Sequence, residues 1–437
     1  MKTSTLVVLL LAGLAIVSTL VRFHQAAGID FLQFWAVSKA QKWSHGKLKS
    51  PYVETTQYHG VLTAYVDNSN DLRLRKAYQF NNQLYSNRLY LWPTPLYFLP
   101  FALLPNDYSH AFAIFQTTQI LLFIASIFML NLAPEGNRLW LASLVLLLLL
   151  AYEPLLSDLR VGNFNIFQLF GLVLLTGYAD RVLASRTAPV PFGPCLVFMC
   201  SLVFLTMLKP NLVFVMLLLA AHLWARHGTK IFGVAALAGA VFGAVLVLLP
   251  CIKFGSWTVW LDWYRYFKTH TDNTEIYSIS RGNFASILLI SQALHVSMLS
   301  VAGVLTAALI TSACGALIIS SRSGKSGVRG AWQTAVLSLR DSHLSAALGV
   351  TATLAVSPLV WSHYYLLSLL PALWLLSFQQ RCRYLALAGG LSILCTAGIA
   401  PKVLYLLFGW ANLAPIFMAI GLVPLWVGLL MAIARNL

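Results

Sequence analysis

Apolar runs of about 15 to 25 residues recur along this chain from Ser4 to Ala434, each long enough as a helix to cross the hydrocarbon of a bilayer. Only 10% of the 437 residues are charged and 59% are hydrophobic. Soluble domains carry about a quarter charged residues. The reading is an all-α polytopic membrane protein, one transmembrane domain over 1–437.

The first run, about Ser4–Phe23, is longer than the apolar core of a secretory signal, and no small-residue cleavage site stands close behind Arg22. It reads as an uncleaved anchor helix. The later runs are approximately His110–Leu132, Leu139–Leu156, Phe164–Ala179, Phe192–Leu208, Asn211–Ala225, Ile231–Pro250, Met298–Ser320, Leu344–Pro358, Tyr364–Phe378, Tyr384–Ile399 and Ala411–Ala434. With the first they make about twelve spans and place both termini in the cytoplasm. Connections on that side hold Arg138, Arg181, Arg186, Arg226, Lys230, Arg322, Lys325, Arg329, Arg340, Arg381 and Arg383 against Glu135, Asp180 and Asp341. That excess of basic residues marks cytoplasmic loops. Tyr90–Pro105 is apolar but contains four prolines, so it reads as a re-entrant or interfacial segment; unpaired backbone in lipid is costly.

Two long external loops result, 24–108 and 252–297, each with room for interfacial helices. In the first, Asp30 follows the opening span directly, and Phe31, Phe34 and Trp35 come after it at helical spacing. This suits a helix lying in the membrane interface. Other polar clusters fall on the same external side. Asp158-Leu159-Arg160-Val161-Gly162-Asn163-Phe164-Asn165 joins two spans; its Asn163 and Asn165 either offer amides to a polar ligand or cap a helix. Lys209, before Pro210, either faces a phosphate or reaches to headgroups. Arg281-Gly282-Asn283 is suited to gripping phosphate. His363 and Tyr364 sit in a short turn between two spans, where an ionisable residue reads as functional or as an interface hydrogen-bonder.

The net charge of +16 follows the short connections, which favours anionic lipid and a phosphate-bearing substrate over nucleic acid. Six cysteines show no metal spacing and no disulfide framework. The external acids are scattered without an Asp-x-Asp pair, so no cofactor and no metal are expected.

Taken in order, these clusters resemble glycosyltransferase family 87, of the membrane-embedded GT-C fold. The matching elements are Asp30-Phe31, Tyr90 to Pro105, Gly162-Asn163-Phe164-Asn165, Lys209-Pro210, Gly282-Asn283 with Ser286, and Ser357-Pro358 with Trp361, His363 and Tyr364. Asn163 stands where the family more often has Gln. The resemblance implies a hexosyl- or mannosyltransferase-like enzyme of the bacterial-type inner (plasma) membrane, working on the cell envelope from the external, periplasmic face. It implies a polyprenyl-phosphate sugar as donor, a glycolipid or glycan hydroxyl as acceptor, inversion, Asp30 as catalytic carboxylate and His363 near the site. Lys209, Arg281 and Arg160 are then candidates for the donor phosphate, with Asn163, Asn165, Asn283 and Tyr364 as further substrate contacts. The rivals are a lipid-linked oligosaccharide flippase or transporter and a polysaccharide polymerase or ligase. A transporter is disfavoured because the acids avoid span centres and no internal repeat is visible.

Overall fold

A computed structural model describes residues 26–85, 93–130, 138–183, 192–271, 283–322, 328–408 and 413–435, together with 89, 91 and scattered positions between 10 and 23. Most of the expected first span therefore lies outside the described residues, as does Arg281. The described residues are mainly helical, with no strand beyond a single bridge between Asn283 and Trp361.

Among them five helices are long and apolar enough to cross a membrane: Tyr108–Met129, Asn165–Leu183, Pro210–Phe254, Met298–Ser321 and Ala414–Ala434. A sixth arises if the bent pair Trp140–Ala151 and Glu153–Val161 is one span. Four shorter apolar helices, Phe192–Leu208, Ser342–Val356, Ser362–Leu376 and Arg383–Thr396, fall where further spans are expected.

The straight span expected over Leu139–Leu156 is instead broken by 60° next to Tyr152. Pro154 follows, and proline cannot donate to the preceding turn. The break is tied down by tertiary bonds: Glu153 N donates to Ala397 O at 3.1 Å, and Tyr152 Oη lies 3.1 Å from Tyr365 O. The bend carries Asp158 and Gly162 into the protein.

The helix assigned to Val213–Phe254 reverses at Gly228, whose φ of 77° and ψ of 176° are not helical. A Cβ on Gly239 would meet Met199, and one on Gly243 would meet Val203. Contact thus advances in the same sense along both segments, so the second arm runs parallel to Phe192–Leu208 and the first arm returns between. The reversal sits at the end that holds Arg226, which donates to Arg340 O at 2.8 Å. The opposite end holds Leu208, Lys209, Lys253 and the 26–108 region; Thr94 Oγ1 there donates to Leu208 O at 3.0 Å. The clusters expected on one face, apart from undescribed Arg281, thus gather at one end of the bundle.

The Asp30 helix spans Ile29–Trp43. Rather than resting one face on lipid, it is buried from Phe31 through Gln41. Helices Thr55–Asp67 and Leu72–Tyr85 cover it, together with two 3₁₀ turns at Pro95–Phe98 and Pro100–Leu103. Those turns are the proline-rich segment, which is no span, and their carbonyls need donors. The Asp30 helix supplies them: Trp35 Nε1 donates to Pro105 O at 3.0 Å, Lys39 Nζ to Ala102 O at 3.2 Å, and Ser38 Oγ to Phe98 O. Burial of these three side chains therefore comes with hydrogen bonds, while Gln41 Oε1 on the same helix is buried without a partner among the described residues.

Two glycines set the start of this helix against the broken span. Gly28 and Gly162 have φ of 69° and 74°, which L side chains rarely adopt. A Cβ on Gly162 would lie 2.6 Å from Phe31 Cβ, and one on Gly28 2.6 Å from Phe112 Cζ. Phe31 sits among Phe101, Tyr108, Phe112 and Phe115, with ring centroids at 4.9–5.5 Å. Gly162→Ala is expected to cost about 2 kcal/mol or more, from left-handed backbone plus overpacking. Gly177→Ala, whose Cβ meets nothing within 4 Å, should be neutral or slightly stabilising. Thermal unfolding of both variants in detergent checks the contrast.

Candidate active site

The Asp30 helix, the 153–165 turn, the Lys209 break and the 357–364 turn meet around a cavity of about 830 Å³. Among the described residues that line it, Asp30 is the one carboxylate and Lys209 the one cation. Apolar and aromatic side chains make up much of the remaining wall, including Phe34, Tyr97, Trp263 and Phe267. A pocket of this kind suits a large amphiphilic ligand.

Asn163 stands between the two charges. Its Nδ2 donates to Asp30 Oδ2 at 2.7 Å and lies 3.2 Å from His363 Nε2. Its Oδ1 accepts from the Phe164 backbone N–H at 2.7 Å, from Tyr97 Oη at 3.3 Å and from Lys209 Nζ at 3.4 Å. The backbone donor fixes which end of the amide is oxygen. Lys209 Nζ also donates to Asn165 Oδ1 at 2.6 Å and sits over the Tyr364 ring, 3.8 Å from its centroid. A cation over an aromatic face in a desolvated setting gains about 2 kcal/mol.

Lys209 is presented here because the chain cannot stay helical before Pro210. It takes an extended φ of −146°, and Pro210 opens the next turn. The ammonium is thus held on a break in the apolar wall, oriented by Asn165 and Tyr364, rather than reaching along lipid.

Asp158 is the second acid of the cluster, and it plays a different part. Both its oxygens are occupied: Oδ1 accepts from Asn165 Nδ2 at 2.7 Å, Oδ2 from Gln119 Nε2 at 3.1 Å and Ile166 N at 3.3 Å. It is fully buried and does not line the cavity. Asp30 lines the cavity, and its Oδ1 accepts no hydrogen bond among the described residues. Of the two carboxylates, Asp30 is the one with an oxygen left for a ligand.

The other expected ligand contacts fall as follows. Tyr364 and His363 line the cavity. Asn165 lies behind it, joining Lys209 to Asp158. Asn283 is wholly buried and pins the 357–361 turn, donating to Pro358 O at 3.2 Å and accepting from Val360 N at 3.0 Å. Arg160 is half exposed, does not line the cavity, and pairs with Glu153 at 3.6 Å; Lys402 reaches the same carboxylate at 2.7 Å. In this arrangement the side-chain polar atoms of Asn165 and Asn283 are engaged by protein partners, and Arg160 is paired with Glu153 away from the cavity, so none of the three lines it.

Sequence reading overlooked Gln119, whose Nε2 also donates to Asn163 O at 2.7 Å, and Tyr97, which reaches Asn163 Oδ1. A signal existed for the first. Gln116 and Gln119 lie one turn apart in an otherwise apolar span, and buried amides there need partners.

Burial raises the Asp30 carboxyl to about 6, opposed by the Asn163 hydrogen bond and by the charge of Lys209. Lys209 is lowered by burial, with Asp158 and Asp30 acting against the shift. Because folding raises the Asp30 value, its contribution favours the fold fully below pH 3.8 and is lost as pH rises through about 6. Asp30→Asn lacks this loss. Its thermal stability relative to the parent should therefore grow between about pH 4 and pH 8, tracking the raised carboxyl. Unfolding scans across that range check the sign.

Compared with known proteins, the chain matches the family model of glycosyltransferase family 87 over residues 90–339. Asn163, Asn165 and Lys209 lie within the matched stretch, and Asp30 and His363 outside it. No curated protein and no solved structure gives a match.

Proposed function

Given that the chain belongs to glycosyltransferase family 87 and is a membrane glycosyltransferase, we propose that it moves a hexose, in mannosyltransferase fashion, from a polyprenyl-phosphate carrier to a glycolipid or glycan hydroxyl, with inversion. The observation that carries this reading is that, among the described residues, the cavity pairs one carboxylate having an unclaimed oxygen with one ammonium, set apart across a single amide. A base and a phosphate-holding cation are the two groups such a displacement needs.

In the proposed step the acceptor hydroxyl attacks the anomeric carbon while Asp30 Oδ1 takes its proton. The bond from C1 to the carrier's phosphate oxygen breaks, and its electron pair leaves with the polyprenyl phosphate as a monoester. Phosphate is already a good leaving group, so the demand is for positive charge rather than for a proton donor. Lys209 meets that demand in a pocket where water is scarce and charge is worth more. Attack opposite the leaving phosphate inverts the anomeric centre, and a single base on the acceptor side is sufficient.

The same reading takes in a GT-C architecture with about twelve spans, cytoplasmic termini and a catalytic face outside the plasma membrane. It is supported by the gathering of the described polar clusters at one end of the bundle. Arg226 and Arg340 lie at the other end, where basic residues are expected for the cytoplasm.

Assay of purified protein with a radiolabelled polyprenyl-monophosphate sugar tests the proposal. Asp30→Asn should keep its fold and lose transfer, whereas full turnover by that variant removes Asp30 as base. For the parent, kcat/KM should rise with pH through about 6, because Asp30 works as the carboxylate. Lys209→Ala should raise KM for the donor by about tenfold or more, the order expected for losing one charge-assisted contact. An unchanged donor KM would return Lys209 to a structural role. Transfer only from a diphosphate-linked glycan would favour the polymerase or ligase alternative, and carrier movement without transfer the flippase.

A further inference from the structure

Asn163 was expected to touch substrate, yet every polar position on its side chain is occupied from within the protein. The Nδ2 group has two hydrogens. One goes to Asp30 Oδ2, and the only other neighbour within reach among the described residues is His363 Nε2. The Oδ1 atom already takes donors from Phe164, Tyr97 and Lys209. An amide nitrogen cannot accept, so His363 Nε2 must be the acceptor in this contact. An imidazole whose Nε2 accepts is neutral and carries its proton on Nδ1.

The geometry points to Asn163 as the positioning residue of this site, a single amide that holds the Asp30 carboxylate by one oxygen and holds His363 in its neutral Nδ1–H form. The inference rests on the reading of Asp30 as base, and goes beyond it in two ways. Asn163 leaves the set of substrate ligands. His363 leaves the proton chemistry: with Nε2 committed as acceptor to a group that never releases a proton, it cannot relay one from Asp30. What His363 supplies is the acceptor that keeps the Asn163 amide from rotating. Phe164 N–H and Tyr97 Oη brace the other end, so Asp30, which lines the cavity and whose Oδ1 takes no hydrogen bond among the described residues, is held at one orientation.

Side-chain length at 163 matters to this arrangement. Asn163 follows Gly162, whose left-handed backbone ends the Glu153–Val161 helix, and from there the amide reaches Asp30 Oδ2. Gln at this position carries the same amide on one more methylene and can rebuild the contacts by bending. Ala cannot.

The first test needs no activity. Histidine ¹⁵N spectra of the full chain in detergent, with the His363 signals assigned by their loss in His363→Gln, should show a protonated Nδ1 and a bare Nε2. That pattern should persist unchanged from about pH 5.5 to pH 8, below and above the ordinary histidine value. A protonated Nε2 in the parent protein overturns the proposal. The second test is kinetic. Asn163→Ala should lower kcat on the order of 100-fold, the scale of a misplaced reacting group. It should also move the acidic limb of kcat/KM above the parent's, since Asn163 holds the Asp30 value down. Asn163→Gln should recover a good part of both. If Asn163→Ala transfers at the parental rate with the limb unmoved while Asp30→Asn is dead, the positioning role fails and the base assignment stands. If Asp30→Asn is itself active, the base assignment fails, and the ¹⁵N pattern still decides whether the amide holds His363.

Discussion

A carboxylate and an ammonium sharing an apolar pocket would ordinarily close on each other, since the low dielectric strengthens their attraction. Paired in that way, neither would be free for a ligand. Here Asp30 and Lys209 are joined through the Asn163 amide instead, the acid on the nitrogen side and the cation on the oxygen side. Everything else in the site follows from keeping that amide in place. Lys209 has Asn165 and the Tyr364 ring as its other neighbours, and Asn165 is in turn held by Asp158. The second acid thus stabilises the cation's surroundings without competing for the ligand.

The amide is only as well placed as the two chain segments it connects. Gly28 and Gly162 let the Asp30 helix and the broken span approach until a Cβ would collide with Phe31 or Phe112. Arg73 secures the entry to that helix, donating to Ala26 O at 2.9 Å and lying over the Phe112 ring at 4.6 Å. Tyr108 Oη adds a bond to Gly28 O at 2.9 Å. The aromatic cluster fills the space between, so position is set by packing as well as by hydrogen bonds. Such supported first-contact groups are what a displacement reaction requires, because small misplacements are costly.

Much of this was legible in the sequence. Hydropathy gave the membrane class, and the ordered short motifs gave the family. The placement of basic connections put Asp30, Asn163, Lys209 and His363 on one side. Lys209 could be read as a break because Pro210 follows it. What could not be read were the properties created by packing. The Asp30 helix looks interfacial by its aromatic spacing, yet it is buried all round because the Leu72–Tyr85 helix and the proline turns cover its far side. Asn165 and Asn283 look like ligands as readily as framework, and only their partners distinguish the two. The stretch before Tyr152 is strongly apolar, so its 60° bend shows in sequence only as the Glu153-Pro154 pair that follows. Tyr97 was hidden inside a segment notable for its prolines.

The most direct test of Lys209 as the phosphate-holding cation is an experimental density map with a polyprenyl phosphate bound. The phosphate should lie within hydrogen-bond distance of Lys209 Nζ, with the lipid tail leaving the cavity and the open position for a sugar on the Asp30 Oδ1 side of the Asn163 amide. A phosphate held instead at the Arg226–Arg340 end of the bundle, or with Lys209 still turned away from it onto Tyr364 and Asn165, would contradict that role.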